Sequence, residues 1–172
     1  MDEQNHRSMD RRSLLARGGA VAVGAVGVTV AGVATAAPAL AAGLGYTPIT
    51  PYRSVDSRSE GKIASNQATN LQLITDVEGK PTVVPATAQA VTFNLTITRT
   101  EGQGFLGVVP PGTSLNPLPV SNINWVVAGL DLANSGTTKV ATADNKPGSV
   151  LLFCGGSGRT DFIIDVTGYF AP

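Results

Sequence analysis

Residues 89–98 read QAVTFNLTIT, with Val91, Phe93, Leu95 and Ile97 alternating with Thr92, Asn94, Thr96 and Thr98. A period of two puts each set on its own face of a strand, whereas a helix would scatter the apolar positions around its circumference. A central strand is expected here, one face in a core and the other in water. Shorter alternations recur elsewhere. Leu71, Leu73 and Thr75 interleave with Asn70, Gln72 and Ile74, and Ile123 and Trp125 with Asn122 and Asn124. In DFIIDVTGYF (161–170), Phe162, Ile164 and Val166 share one face, while Asp161, Ile163, Asp165 and Thr167 share the other.

Glycine, proline and charge punctuate these runs. RTEGQG (99–104) is expected to turn the central strand back into GFLGVV (104–109) as a hairpin. LDLANS (130–135) and TTKVATA (137–143) read as two strands separated by Gly136. SVLLFC (149–154) suits a strand covered on both faces, and GGSGR after it reads as a second hairpin turn. GLGYTPITP (43–51) reads as an extended leader into a first edge strand. PPGTSLNPLP (110–119) is stiff, either a binding loop or, preferably, a long connection. Eight or nine short strands with no helical period predict an all-β fold. Two antiparallel sheets packed as a β-sandwich or jelly roll fit best, with a closed barrel the competitor.

The N-terminal segment departs from this pattern. Arg11 and Arg12 in SMDRRSLL precede an Ala-, Val- and Gly-rich run from 20 to 33, then PALAA (38–42). Paired arginines before a soft apolar segment are the mark of a twin-arginine export signal. Ala39 and Ala41 supply the small residues that a signal peptidase accepts, so residues 1–41 are expected to be cleaved off and 42–172 to form one domain. The competing reading is a retained membrane anchor. Five glycines between Gly18 and Gly32 weaken such a helix.

Cleavage changes the inventory. About 130 residues remain, enough for one domain with one core. Eight basic and nine acidic side chains remain, with no basic stripe for phosphates, so nucleic acid is not expected as a partner. The only histidine, His6, leaves with the signal. Histidine-based nucleophilic triads and histidine zinc sites are thereby excluded from the mature chain, and no cofactor motif is present. The only cysteine, Cys154, cannot form an intramolecular disulfide and reads as an inert core thiol.

With the strands placed, the chain resembles a family of secreted actinobacterial modules, found singly or as repeats attached to extracellular hydrolases. The matching pieces are YRSVDSR at Tyr52, AVTFNLTIT at Ala90, GFLGVVPPG at Gly104, SNINW at Ser121, LDLANS at Leu130 and DVTGYF at Asp165. The family's first motif usually reads Asp-Thr-Arg; here it is Asp56, Ser57 and Arg58. The resemblance implies a secreted β-domain and no particular chemistry.

Arg53, Asp56, Arg58 and Asp165 are the candidate polar cluster, read as a charge network pinning the first strand to the last or, alternatively, as a ligand site. Asn122, Asn124 and Tyr52 are candidate sugar contacts, although asparagine near strand ends more often closes turns. Asn94 heads a formal glycosylation sequon. Trp125, Tyr46, Tyr52 and Tyr169 are the aromatic residues eligible as sugar platforms, with Trp125 expected to be buried. A glycosidase would draw its two carboxylates from Asp56, Asp131, Asp161 and Asp165. The expected function is a secreted, non-catalytic surface or structural module of the cell envelope. A carbohydrate-binding module is the alternative and a carboxylate glycosidase the least favoured. Expected partners are cell-wall polysaccharide or an envelope protein, with no integral membrane contact after cleavage and homo-oligomerisation, through paired edges or a shared buried face, left open.

Overall fold

The computed structural model describes residues 43–142 and 146–172. The proposed export motif and cleavage site, Arg11, Arg12, Ala39 and Ala41, lie outside them. Among the described residues no helix is long and apolar enough to cross a membrane.

Among the described residues nine strands form two antiparallel sheets: β1 Gly45–Asp56, β2 Ile63–Ala64, β3 Ala68–Gln72, β4 Ala90–Glu101, β5 Gly104–Val109, β6 Ile123–Trp125, β7 Leu132–Lys139, β8 Ser149–Gly156 and β9 Arg159–Ala171. The first sheet has the order β1-β9-β4-β7, with β2 also on β9, and the second the order β3-β8-β5-β6. The fold is thus an all-β two-sheet sandwich. The alternation of β4 carries through: Val91, Phe93, Leu95 and Ile97 are buried to 1% exposure or less. They meet Ile164 and Val166 of β9 and, from the second sheet, Leu106, Val150, Leu152 and Cys154 in one apolar cluster.

Neither expected hairpin exists. β4 and β5 lie in different sheets, as do β8 and β9, and the two connections are corners side by side. Glu101 pairs with Arg159 before the bend, and three residues on Gly104 pairs with Gly156 after it, so the pairing keeps its register across the corner itself. Ser157 N–H donates to the Gln103 carbonyl at 3.0 Å within the corner. On the other flank the chain 45–72 follows the same bend, with β1 and β2 along β9 and β3 along β8. Hairpin turns and sheet corners call on the same residues, glycine and short polar side chains, which is why the local sequence reads equally well as either.

The corner has no room for side chains. A Cβ on Gly158 would stand 2.2 Å from the Glu101 carbonyl oxygen, and one on Gly104 would stand 2.6 Å from the Trp125 ring. Gly136, expected to separate two strands, instead sits within the unbroken β7 opposite Phe93. A Cβ there would meet that ring at 2.7 Å, so the missing side chain makes space for an aromatic one.

The outer face of the second sheet is also apolar. Phe153 is 1% exposed and crosses Phe105 edge to face at 6.1 Å between centroids. Leu118 and Val120, from the proline-rich connection, lie over Gly155 and Gly107 on this face. That connection therefore serves as a cover, which explains the continuous apolar character of β8. At the opposite margin, the Tyr52 and Ser54 hydroxyls donate to the carbonyls of Leu73 (2.5 Å) and Gln72 (2.8 Å), tying β1 to the β3 side of the second sheet.

Overpacking a site whose neighbours are backbone typically costs 1–3 kcal/mol. Gly158→Ala should fall at about 3 kcal/mol of destabilisation. Gly43→Ala, with nothing within 4 Å, should be neutral. Urea-unfolding midpoints of the two variants check this.

Candidate functional site

The outer face of the first sheet carries the charged side chains, and strand register brings them together. β9 projects Asp161, Ile163 and Asp165 outward because Phe162, Ile164 and Val166 are held in the core. Asp165 lies between Arg53 of β1 and Asn94 of β4, and Asp161 lies beside Thr98 of β4. At the end of β1, Asp56 caps a single 3-10 turn, Ser57–Ser59, accepting from the Arg58 N–H.

The four residues Arg53, Asp56, Arg58 and Asp165 form one network. Arg53 Nε donates to Asp165 Oδ1 at 2.9 Å and Nη2 to Oδ2 at 3.4 Å, while Nη1 reaches Asp56 Oδ2 at 3.4 Å. Arg58 grips Asp56 with both Nε (2.9 Å to Oδ1) and Nη2 (2.6 Å to Oδ2). These forked guanidinium–carboxylate pairs fix orientation as well as charge. The Arg58 side chain, by its hydrogen bonds, is the main reason the Asp56 carboxyl is held down at about 2; its backbone N–H and the charge of Arg53 add to it, against the opposing effect of burial.

Arg99 is a fifth member that the alternation pattern conceals. As the neighbour of Ile97 by two, it would point into the core in a regular strand. The register of β4 on β9 breaks between Thr98 and Glu101, and Arg99 takes a left-handed φ of 52°. The break turns its side chain outward, where Nε lies 2.8 Å from Oδ2 of Asp161 and Nη2 donates to the Arg58 carbonyl at 3.1 Å. Asp161 is 1% exposed, and its Oδ2 has this ion pair but no well-directed hydrogen bond. Asp131 accepts at Oδ1 from the Thr98 hydroxyl (2.5 Å) and the Arg99 N–H (3.2 Å), in that order the causes of its lowered pKa. Asp56, Arg58, Ser59, Thr98 and Arg99 line a shallow groove across this end of the sheet.

The candidate sugar contacts do not assemble. Tyr52 is half-buried against the core at the β1 margin, its hydroxyl spent on the Leu73 carbonyl. Asn122 and Asn124 belong to the opposite margin, by β6. Asn122 Oδ1 accepts the Val108 N–H at 2.7 Å, and its carbonyl accepts from Asn134 Nδ2 at 2.6 Å, so it shapes a turn. Asn124 is exposed on the outer side of β6, between the inward Ile123 and Trp125. Trp125 is 2% exposed. Tyr46 is the half-exposed aromatic, packed across Gly168 and 5.0 Å from the Phe170 ring.

Among the described residues three carboxylates have their proton affinity moved, and all three are moved down: Asp56, Asp131 and Glu101, the last by Lys62 and then Arg159. That direction opposes the one required of a general acid. Burial pushes the Cys154 thiol up to about 11, which keeps it protonated and unreactive. Among the described residues no group of histidine, cysteine and carboxylate side chains stands together as a metal site. Comparison with protein-family models, with curated proteins and with solved structures finds no match.

Asp56 is lower in the folded protein than its ordinary 3.8. The stability it supplies is therefore complete above the ordinary value and is lost as pH falls through about 2. Asp56→Asn should flatten the acid limb: between about pH 4 and about pH 2 its denaturation midpoint should vary less with pH than that of the unchanged protein.

Proposed function

We propose that this chain is an exported, non-catalytic module that acts through the surface of its β-domain in the cell envelope or beyond it. The observation that carries this reading is the mutual neutralisation of its charged groups. Arg53 is matched to Asp165, Arg58 to Asp56 and Arg99 to Asp161, and the carboxylates whose affinity moves are held as anions. Such a network secures an edge strand against its neighbour; it does not hold a proton ready for transfer. Beside it, Thr92, Asn94, Thr96, Ser135 and Thr137 set hydroxyl and amide groups across this face. A surface of that kind suits hydrogen bonding to a hydrated polymer or a protein partner.

A second reading, a carbohydrate-binding module, is favoured by Tyr46. It is the exposed ring on a rigid seat, over Gly168 and against Phe170, and aromatic faces stack on the apolar side of sugars. Purified protein incubated with the producing cell's wall fraction and a panel of insoluble polysaccharides separates the two. Retention on the wall without release by soluble oligosaccharides, and without new reducing ends, is expected. Release by one soluble oligomer, together with loss on Tyr46→Ala, would favour the second reading, and new reducing ends abolished by Asp56→Asn would overturn both.

Export through the twin-arginine route rests on the sequence of the leader. Replacing Arg11 and Arg12 together by lysine should leave the protein in the producing cell as an uncleaved precursor, read by immunoblot of cell and medium fractions.

A further inference from the structure

The four sheet margins are not equally protected. β1 carries Pro48 and Pro51 and breaks register twice along β9. β3 has five residues and faces β1 through the Tyr52 and Ser54 bonds, and β6 has three. β7 is different. It runs eight residues, LANSGTTK, without proline, and pairs with β4 in unbroken register from Leu132–Ile97 to Lys139–Ala90. Among the described residues no strand pairs with its other side. Six of its eight residues are exposed, and the sole charge is Lys139 at its end. Natural edges of this length normally carry proline, a bulge, an inward charge or lysines along the strand to prevent pairing, and β7 has only the lysine at its end.

We infer that β7 is a pairing edge and that its occupant is the β7 of a second copy of this chain, joined antiparallel about a two-fold axis at Ser135. The charges select this occupant and this register. With Ser135 opposite its own counterpart, Asn134 faces Gly136, Ala133 faces Thr137 and Leu132 faces Thr138. Continued by one residue, the pairing sets Lys139 opposite Asp131 at both ends, on the same outer face of the sheet. Asp131 is exposed and already fixed by the Thr98 hydroxyl and the Arg99 N–H, so it is an ordered anion awaiting a cation. No like charges meet, and opposite charges directly across a strand pair are favourable. Leu132, 37% exposed, gains the methyl group of Thr138 as a neighbour. The result is one continuous sheet through two molecules, with the two charged networks on one shared face. An edge of eight residues spans about 27 Å, at the small end of specific interfaces, so the dimer is expected to be concentration-dependent.

Sedimentation of the full chain from about 1 µM to about 500 µM reads the equilibrium. Dimer should accumulate with concentration. Lys139→Glu, at an exposed position, should weaken association about tenfold or more by setting acid against acid, the order expected from about 1.4 kcal/mol. The double exchange Asp131→Lys with Lys139→Glu should restore it. Ser135→Cys should form an intermolecular disulfide under mild oxidation, while Ala68→Cys on the β3 edge should not. Circular dichroism of each variant separates loss of pairing from loss of fold. A monomer at every concentration overturns the inference, as does a dimer that is indifferent to Lys139→Glu and leaves Ser135→Cys uncrosslinked.

Discussion

The hydrogen-bonded ladder through the corner at residues 156–159 is the constraint on which the other features rest. β8 and β9 are one chain passing from the second sheet to the first, and it is paired on both flanks as it goes, by β5 and β4 on one side and by β3, β2 and β1 on the other. Bending three strands together without losing register requires the backbones to approach more closely than any Cβ allows, and Gly104, Gly156 and Gly158 meet that requirement. Once the ladder is bent, the inward faces of the two sheets must oppose each other. The alternating residues of β4, β8 and β9 then have one place to go, the apolar cluster around Phe93, Leu152 and Ile164.

The charged face is a consequence of the same geometry. Because Phe162, Ile164 and Val166 are committed to the core, Asp161 and Asp165 are committed to the outside, at fixed positions against β1 and β4. Arg53 and Arg99 then reach Asp165 and Asp161 from β1 and β4, while Arg58 grips Asp56 beside them. Exposed ion pairs are worth little singly. Here they share partners and are forked, so their effect is to hold the β1 margin in one arrangement, where two prolines and two register breaks leave the backbone ladder incomplete.

The legibility of the sequence follows the range of the forces involved. The strands β4 and β9 could be read from alternation because burial on one face acts residue by residue. Arg53, Asp56, Arg58 and Asp165 could be gathered as a cluster because two strands with charged outer faces must put those charges somewhere. The destination of a turn could not be read in this way: Gly102, Gly156 and Gly158 have the same local chemistry whether the chain folds back on its own strand or passes to the other sheet. Gly136 read as a break because its function, receiving the Phe93 ring, belongs to the neighbouring strand. Arg99 was hidden for a related reason. Its parity assigned it to the core, and only the register break after Thr98 reverses that assignment.

Native-state hydrogen exchange of backbone amides tests most directly whether a single bent ladder organises both sheets. If it does, the amides of Leu152 and Cys154 in β8 and those of Phe162 and Ile164 in β9 should open together, with one free energy equal to that of global unfolding. Two separate exchange free energies, with β8 opening while β9 stays closed, would contradict the account and show two sheets that are merely stacked.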